Sequence, residues 1–232
     1  MDIELFKKEI EKLGIEYDEE KLAKLEKYYN LLVLWNEKMN LTAITDKKMV
    51  YLKHFYDSLT IAKVIDLKSI NSLCDIGTGA GFPGIVLKIF FPHLNVTLID
   101  SLNKRVLFLN EVIKELNLEN IYTEHVRAEE YGKSVREKFD LVTARAVASF
   151  NVLAEYSIPL VCEKKYFVAM KGTDDSLNSS NVLNVLHCKK VKTESFKLPI
   201  ENSDRTIILI QKFAKTEMKY PRKFSEIKKK PL

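Results

Sequence analysis

Apolar residues recur at helical spacing through the first quarter of the chain. Leu22, Leu25, Tyr29, Leu32, Val33 and Met39 fall on one stripe, the 3.6-residue period of an amphipathic helix. Asp18 stands before the first of them, where a short acceptor side chain caps a helix. Trp35 joins the same stripe, which reads as core rather than as a site. A second helical pattern runs from Lys47 to Ile65, with an interruption near His54. Residues 1–66 are therefore expected to form an N-terminal helical extension.

The rhythm then changes. Ser72 to Ile76, Val96 to Asp100, Ile121 to Val126, Phe139 to Thr143 and Lys165 to Met170 are short β-rich runs. Helical patterns separate several of them: Phe82 to Phe91, with Pro83 tolerated in its first turn, Asn103 to Leu116, and Asn151 to Val161. Strands alternating with helices predict an α/β fold with a parallel sheet and crossover connections. Val191 to Leu198 and Thr206 to Lys212 have no helix between them, and Pro199 to Arg205 suits a hairpin. The sheet should close with at least one antiparallel strand at its edge. The polar stretch Thr173 to Asn181 reads as a loop or the start of a helix. This gives a domain over residues 67–213 and a C-terminal tail over residues 214–232.

Composition adds little to this picture. With 232 residues, 46% of them hydrophobic and 30% charged, a packed soluble core is expected. The cysteines, Cys74, Cys162 and Cys188, are odd in number, far apart and form no CxxC, which argues against a disulfide framework or a metal site. No segment is apolar for long enough to cross a membrane, and the mixed-charge N-terminus does not read as a signal peptide. A cytoplasmic protein is the expectation. Charge is more telling: the net value is +5, and residues 212–232 hold eight Lys/Arg against two Asp/Glu. The excess positive charge thus belongs to the tail. A basic end of this kind either contacts phosphate backbones or serves as a solvated tail.

The candidate chemistry sits in CDIGTGAGFPG, residues 74–84. Gly79, Gly81 and Gly84 satisfy G-x-G-x-x-G between a strand and a helix, a turn that lets a ligand approach the backbone. Asp100, 23 residues after Gly77 at the end of the next strand, is placed to accept hydrogen bonds from ribose hydroxyls. Together they indicate an adenosine-type ligand, either a dinucleotide or S-adenosyl-L-methionine. Asp75 bears on the choice. Two like charges ~4 Å apart repel by about 4 kcal/mol at an effective dielectric near 20, so an acid beside the turn disfavours a pyrophosphate. It favours a ligand bearing an ammonium and a sulfonium. A structural turn with Asp75 as helix cap is the alternative without a ligand.

Six stretches in one order carry a family resemblance: LWNEKMNLTAI (Leu34 to Ile44), KHFYDSL (Lys53 to Leu59), CDIGTGAGFPGI (Cys74 to Ile85), LIDSLNKRVLFL (Leu98 to Leu109), RAEEY (Arg127 to Tyr131) and ARAVAS (Ala144 to Ser149). The chain resembles the bacterial small-subunit rRNA methyltransferase G family, also called glucose-inhibited division protein B. The resemblance implies a Rossmann-like, seven-stranded class I S-adenosyl-L-methionine-dependent methyltransferase sheet with an N-terminal helical extension. It implies methylation of N7 of guanine 527 in the 530 loop of 16S rRNA. The partner would be 16S rRNA or an assembling small ribosomal subunit, with no metal. It also implies cofactor contacts at Gly77, Phe82, Ala128, Glu129 and Arg145, with the Ala128 backbone and Glu129 side chain near the adenine. Asp75, Gly79 and Asp100 complete the expected cofactor set. The tail ends in KKKPL like many members, but PRKFSEIKKK replaces their proline- and glycine-rich PRKPG-type segment.

Guanine N7 bears no proton, so no general base is needed, and the sequence offers no His/Asp dyad. Arg145 is the candidate substrate-orienting residue; an ion pair with Asp140 or Glu129 is its structural alternative. RNA-contact candidates are Lys104 and Arg105, which open a helix where the dipole disfavours cations, and Arg222, Lys223, Lys228, Lys229 and Lys230 in the tail. Lys53, His54 and Asp57 are expected to pack the extension over the cleft, His54 in a buried polar network. Three other readings stay open: an NAD(P)-binding Rossmann oxidoreductase, a methyltransferase acting on another RNA, and a non-catalytic RNA-binding module. The sequence ARAV, where exocyclic-amine methyltransferases carry [DNS]PP[YFW], argues against adenine N6 chemistry.

Overall fold

The computed structural model describes residues 1–145, 148–176 and 179–232. Ala146 and Val147 of the ARAVAS stretch, and Leu177 and Asn178 of the polar segment that follows, lie outside the described residues.

Helix α1 (Ile3–Lys12) starts at Asp2, whose carboxylate accepts the Leu5 N–H at 2.9 Å. Helix α2 (Glu19–Met39) starts at Asp18, which accepts the Lys21 N–H at 2.8 Å, and ends at Asn40 in the left-handed region. Such caps replace hydrogen bonds that the first turn cannot make internally. The buried face of α2 is Leu22, Leu25, Tyr28 and Leu32. Tyr28, rather than its neighbour Tyr29, points into the core, and Trp35 is half-buried beside Phe108.

The second helical stretch is built from α3 (Lys47–Val50), a π-helical stretch Tyr51–Tyr56, α4 (Asp57–Leu59) and a 3-10 turn Thr60–Lys63. The interruption expected near His54 is thus a widened turn rather than a break. Wide turns of this kind recur at functional sites, and this one turns His54 and Asp57 toward the sheet.

The sheet has seven strands in the order β3-β2-β1-β4-β5-β7-β6. They are β1 (Ser72–Ile76), β2 (Asn95–Asp100), β3 (Ile121–His125), β4 (Phe139–Arg145), β5 (Val161–Lys171), β6 (Cys188–Lys197) and β7 (Asp204–Lys212). Strands β1 to β5 pair in parallel, and β7 is antiparallel to both β5 and β6. The antiparallel strand is therefore inserted between β5 and β6 instead of lying at the edge. Its Ile207 to Ile210 run is buried, which an edge position would leave half exposed.

Crossovers are made by α5 (Gly84–Phe90), α6 (Asn103–Glu115), α7 (Ala128–Ser134), α8 (Phe150–Ser157) and α9 (Ser180–Val185). Helix α5 begins two residues later than its apolar pattern indicated. Helix α8 stops at Ser157 because Pro159, in the following 3-10 turn Ile158–Leu160, has no N–H to continue it; Val161, expected in the helix, opens β5. Side chains alternate between sheet faces, so Leu73, Leu141, Val168 and Leu209 pack with α1, α2, α5 and α6, in one core with Phe6, Leu25 and Phe55. Cys74, Val142, Phe167 and Ile208 pack on the other face with α8 and α9.

The C-terminal segment folds back onto that second face through α10 (Phe224–Lys229), with Tyr220 and Ile227 buried. Two of the cations in residues 212–232 are used internally. Lys212 is fully buried, its Nζ donating to Glu137 Oε1 and to the carbonyls of Ile158 and Val161. Arg222 donates through Nε and Nη2 to the carboxylate of Glu155, at 2.9 and 2.6 Å, and Glu155 is fully buried. An RNA contact expected of Arg222 is therefore replaced by a structural one: its fork geometry matches a carboxylate that has to be neutralised where it lies. Arg222→Ala leaves that carboxylate unpaired and should lower the unfolding free energy by about 3 kcal/mol, read as a shifted urea midpoint at pH 7.

Candidate active site

The glycine loop leaves β1 through Gly77, Gly79 and Gly81, all at positive φ. A Cβ at Gly81 would lie 2.5 Å from the Tyr28 hydroxyl and 2.7 Å from Ile85 Cδ1, so only glycine fits there. A Cβ at Gly79 would come no closer than 4.0 Å to a neighbour, and this residue lines the large cavity described below. The Tyr28 hydroxyl, buried on α2, donates to the Ala80 carbonyl. The extension thus holds the loop from one side while the sheet holds it from the other.

Asp75 underlies this loop instead of facing a ligand. It shares a sheet face with Leu73 and turns toward α5; a Cβ on Gly84 would meet its Oδ2 at 2.9 Å. That oxygen accepts the Thr78 hydroxyl at 2.6 Å and the Gly84 N–H at 2.8 Å. Oδ1 finds no partner among the described residues. Complete burial pushes the carboxyl up to about 7, against the pull of those two hydrogen bonds. The expected cofactor contact of Asp75 is corrected accordingly: side-chain alternation along β1 sends it under the loop, where it caps α5.

Asp100, at the end of β2, does face the cleft. Oδ2 accepts the Gly79 N–H at 2.9 Å and Arg105 Nη1 at 3.1 Å, and Oδ1 accepts the Leu102 N–H at 2.9 Å.

Across the cleft, Asp57 is buried between two arginines. Its Oδ2 lies 3.1 Å from Arg145 Nη1 and its Oδ1 3.0 Å from Arg205 Nε. Arg145 Nη1 also donates to the Lys53 carbonyl at 2.8 Å, and Lys53 Nζ pairs with Glu201 of the β6–β7 hairpin. One carboxylate from the extension therefore joins the ends of β4 and β7. The ring of His54 stacks on Phe82 with centroids 4.4 Å apart and planes at 13°, and the Arg145 guanidinium lies 5.3 Å from the Phe82 centroid. Burial first, and then the Arg145 charge, lower the His54 pKa to about 3, so the imidazole is neutral at neutral pH.

Two cavities open over the carboxyl ends of the strands and meet at Gly77, Asp100 and Ser101. The larger, about 660 Å³, is lined by Lys53, Arg105, Arg145, Lys171 and Arg205 against Asp57 and Asp100, an excess of cations. The smaller, about 470 Å³, is a mostly apolar slot between Ile76, Ile99, Ala128 and Val152, with Asp100, Arg127, Glu129 and Lys228 among its polar residues. One side is mostly apolar and the other carries the excess of cations.

The family model described as rRNA small subunit methyltransferase G matches residues 21–208. The chain belongs to this family. It is 52% identical to the ribosomal RNA small subunit methyltransferase G of Exiguobacterium sp., over 94% of each chain. It is 48% identical to that of Bacillus subtilis, over 100% of this chain and 99% of the relative. Among solved structures, the StiE O-MT shares the fold at a TM-score of 0.58 with 12% identity, covering 81% of this chain and 83% of its own. The precorrin-6y C5,15-methyltransferase of Geobacter metallireducens does so at 0.50 with 15% identity, covering 68% and 87%. The fold implied by the sequence resemblance is thus borne out.

Within this family member, the structure gathers Gly77, Gly79, Phe82, Asp100 and Arg145 around the larger cavity and Ala128 and Glu129 around the smaller. Arg145 pairs with Asp57, not with Asp140 or Glu129. Arg105 is drawn into the cleft by Asp100, its Nε buried and without a partner among the described residues. Lys104 donates to the Met39 carbonyl at 2.8 Å, closing the end of α2. Lys223, Lys228, Lys229 and Lys230 are exposed, and Lys228 lines the slot. Sequence reasoning missed Arg205 and Tyr28. Arg205 meets Asp57 across 148 positions, with no local pattern to announce it; the helical period admits Tyr28 and Tyr29 alike.

Because the folded-state pKa of Asp75 is raised, the native state holds its proton to higher pH than the unfolded chain. Its contribution to stability is full below pH 4 and is lost as pH rises through 7. Asp75→Asn should therefore flatten the fall in unfolding free energy between pH 4 and 7 relative to the parent chain, measured by urea titrations across that window.

Proposed function

We propose that this chain transfers the methyl group of S-adenosyl-L-methionine to N7 of guanine 527 in the 530 loop of 16S rRNA. The observation that carries the reading is the junction of an apolar slot and a cationic chamber at Gly77, Asp100 and Ser101. The residues present fit the cofactor. The slot has the volume and apolar walls for an adenine, with Ala128 and Glu129 among its lining residues. Asp100, which lines both cavities, is the carboxylate placed to accept from ribose hydroxyls. The open backbone at Gly79 leaves room for the methionyl part, whose carboxylate would meet the cations of the chamber.

When bound, the cofactor supplies an electrophilic methyl group on a positively charged sulfur. Guanine N7 supplies the electron pair and has no proton to lose, so the chain needs no general base. The neutral state of His54 and its engagement with Phe82 agree with a role in shaping the site. What remains for the protein is alignment of the two reactants, which accounts for as much as ~7–11 kcal/mol of a barrier. Phe82 and His54 present stacked rings to a base. Arg145 and Arg205, held by Asp57, present guanidinium groups to guanine O6 or a neighbouring phosphate; an arginine fork suits either. Exposed Lys104 and the lysines of residues 223–230 supply a sequence-independent attraction for the RNA backbone. The place of action would be the cytoplasm, on 16S rRNA or an assembling small subunit.

In cells lacking the protein, borohydride–aniline cleavage at guanine 527 of 16S rRNA should disappear and should return with a wild-type copy. Persistence of the cleavage would remove the assignment of this nucleotide. Arg145→Ala should reduce methyl transfer from labelled cofactor at least 100-fold, in line with the loss of an aligning group.

A further inference from the structure

The C-terminal segment reaches the slot through Phe224 and the short helix α10. Phe224, Lys228 and Pro231 line the same cavity as Ile76, Ala128 and Val152. The segment is fixed in place. Besides the two side-chain bonds from Arg222, the Arg222 N–H donates to Glu155 at 2.9 Å. Arg136 holds the carbonyls of Tyr220 and Thr216 at 2.6 and 2.8 Å. Ile227 is buried beneath α10, and Asn151 Nδ2 donates to the Leu232 carbonyl at 2.7 Å.

Phe224 itself is 41% exposed, although it sits two residues from a buried ion pair on a tethered segment. Its ring carries the Arg127 guanidinium 4.3 Å from the centroid, and Arg127 in turn donates to Glu129 Oε1 at 2.7 Å. An aromatic ring left open at the mouth of an apolar slot, with its surroundings ordered, is what a planar ligand needs as a wall.

We propose that α10 is a wall of the cofactor site in this chain and that Phe224 packs against the purine ring of the bound cofactor. This rests on the reading that the slot holds the adenosine part. The Arg127–Glu129 pair orders the ring from one side, and the Arg222–Glu155 pair sets the register of the chain that carries it. Lys228 and Lys229 then belong to a helix that also retains the cofactor. A substitution at Phe224 therefore acts on cofactor affinity, not on RNA affinity.

The test is calorimetric titration of the full chain with S-adenosylhomocysteine, alongside binding of a 16S rRNA fragment. Phe224→Ala and Phe224→Leu should each weaken S-adenosylhomocysteine about ten-fold, the range for loss of base–aromatic stacking. Phe224→Tyr should bind like the parent, and all three should hold the RNA fragment with unchanged affinity. Leucine keeps the apolar bulk, so it decides the matter should the alanine variant lose thermal stability. Parent-like S-adenosylhomocysteine affinity in Phe224→Leu overturns the proposal. No binding by the parent chain would instead overturn the cofactor reading itself.

Discussion

A carboxylate from outside the sheet organises its active edge. Asp57, on the helical extension, is buried and bonded to Arg145 at the end of β4 and to Arg205 at the start of β7. Removing a buried charge from water is costly, and the cost is recovered only where partners of opposite charge and good geometry meet it. Here the two guanidinium groups meet it from β4 and β7, 88 and 148 residues away along the chain. The same contact fixes the direction of both guanidinium groups, closes one side of the larger cavity and fastens the extension to the sheet. The π-helical turn preceding Asp57 sets the angle at which His54 and Asp57 leave the helix.

A second buried carboxylate performs the equivalent task beneath the glycine loop. Asp75 holds Thr78 and Gly84 from below, and Tyr28 holds Ala80 from the side of the extension. A glycine-rich loop has the largest conformational entropy to lose on ordering, so it needs such anchors if it is to present a fixed backbone to a ligand. The extension thus supports the glycine loop as well as the core. Helices α1 and α2 share one hydrophobic cluster with the inner strands, and its loss would release the loop together with the helices.

The division of charge follows the same logic. Cations that the sequence assigns to one basic tail separate by burial. Lys212 and Arg222 neutralise internal carboxylates, whereas Lys223 and residues 228–230 stay in solvent. In water an exposed ion pair such as Lys68–Glu16 adds little, so the internal pairs, and not the number of charges, shape the C-terminal segment.

The strand and helix pattern, the glycine loop and Asp100 were legible from sequence because each depends on local rules. Periodicity reports which face is buried, positive φ favours glycine, and a strand end places the next carboxylate beside the loop. The extension was likewise readable, down to its cap at Asp18. What only the tertiary structure decided depends on long-range partners or on half a turn of a strand. Asp75 lies under the loop because alternation along β1 turns it from the cleft. Strand β7 enters between β5 and β6 because its Ile-rich run is buried on both faces. Arg145, Arg205 and Asp57 lie far apart in sequence and meet only where β4, β7 and the extension converge. Arg222 changes from a candidate RNA contact into a structural one because the buried carboxylate of Glu155 waits 67 residues earlier, a proximity that no local pattern encodes.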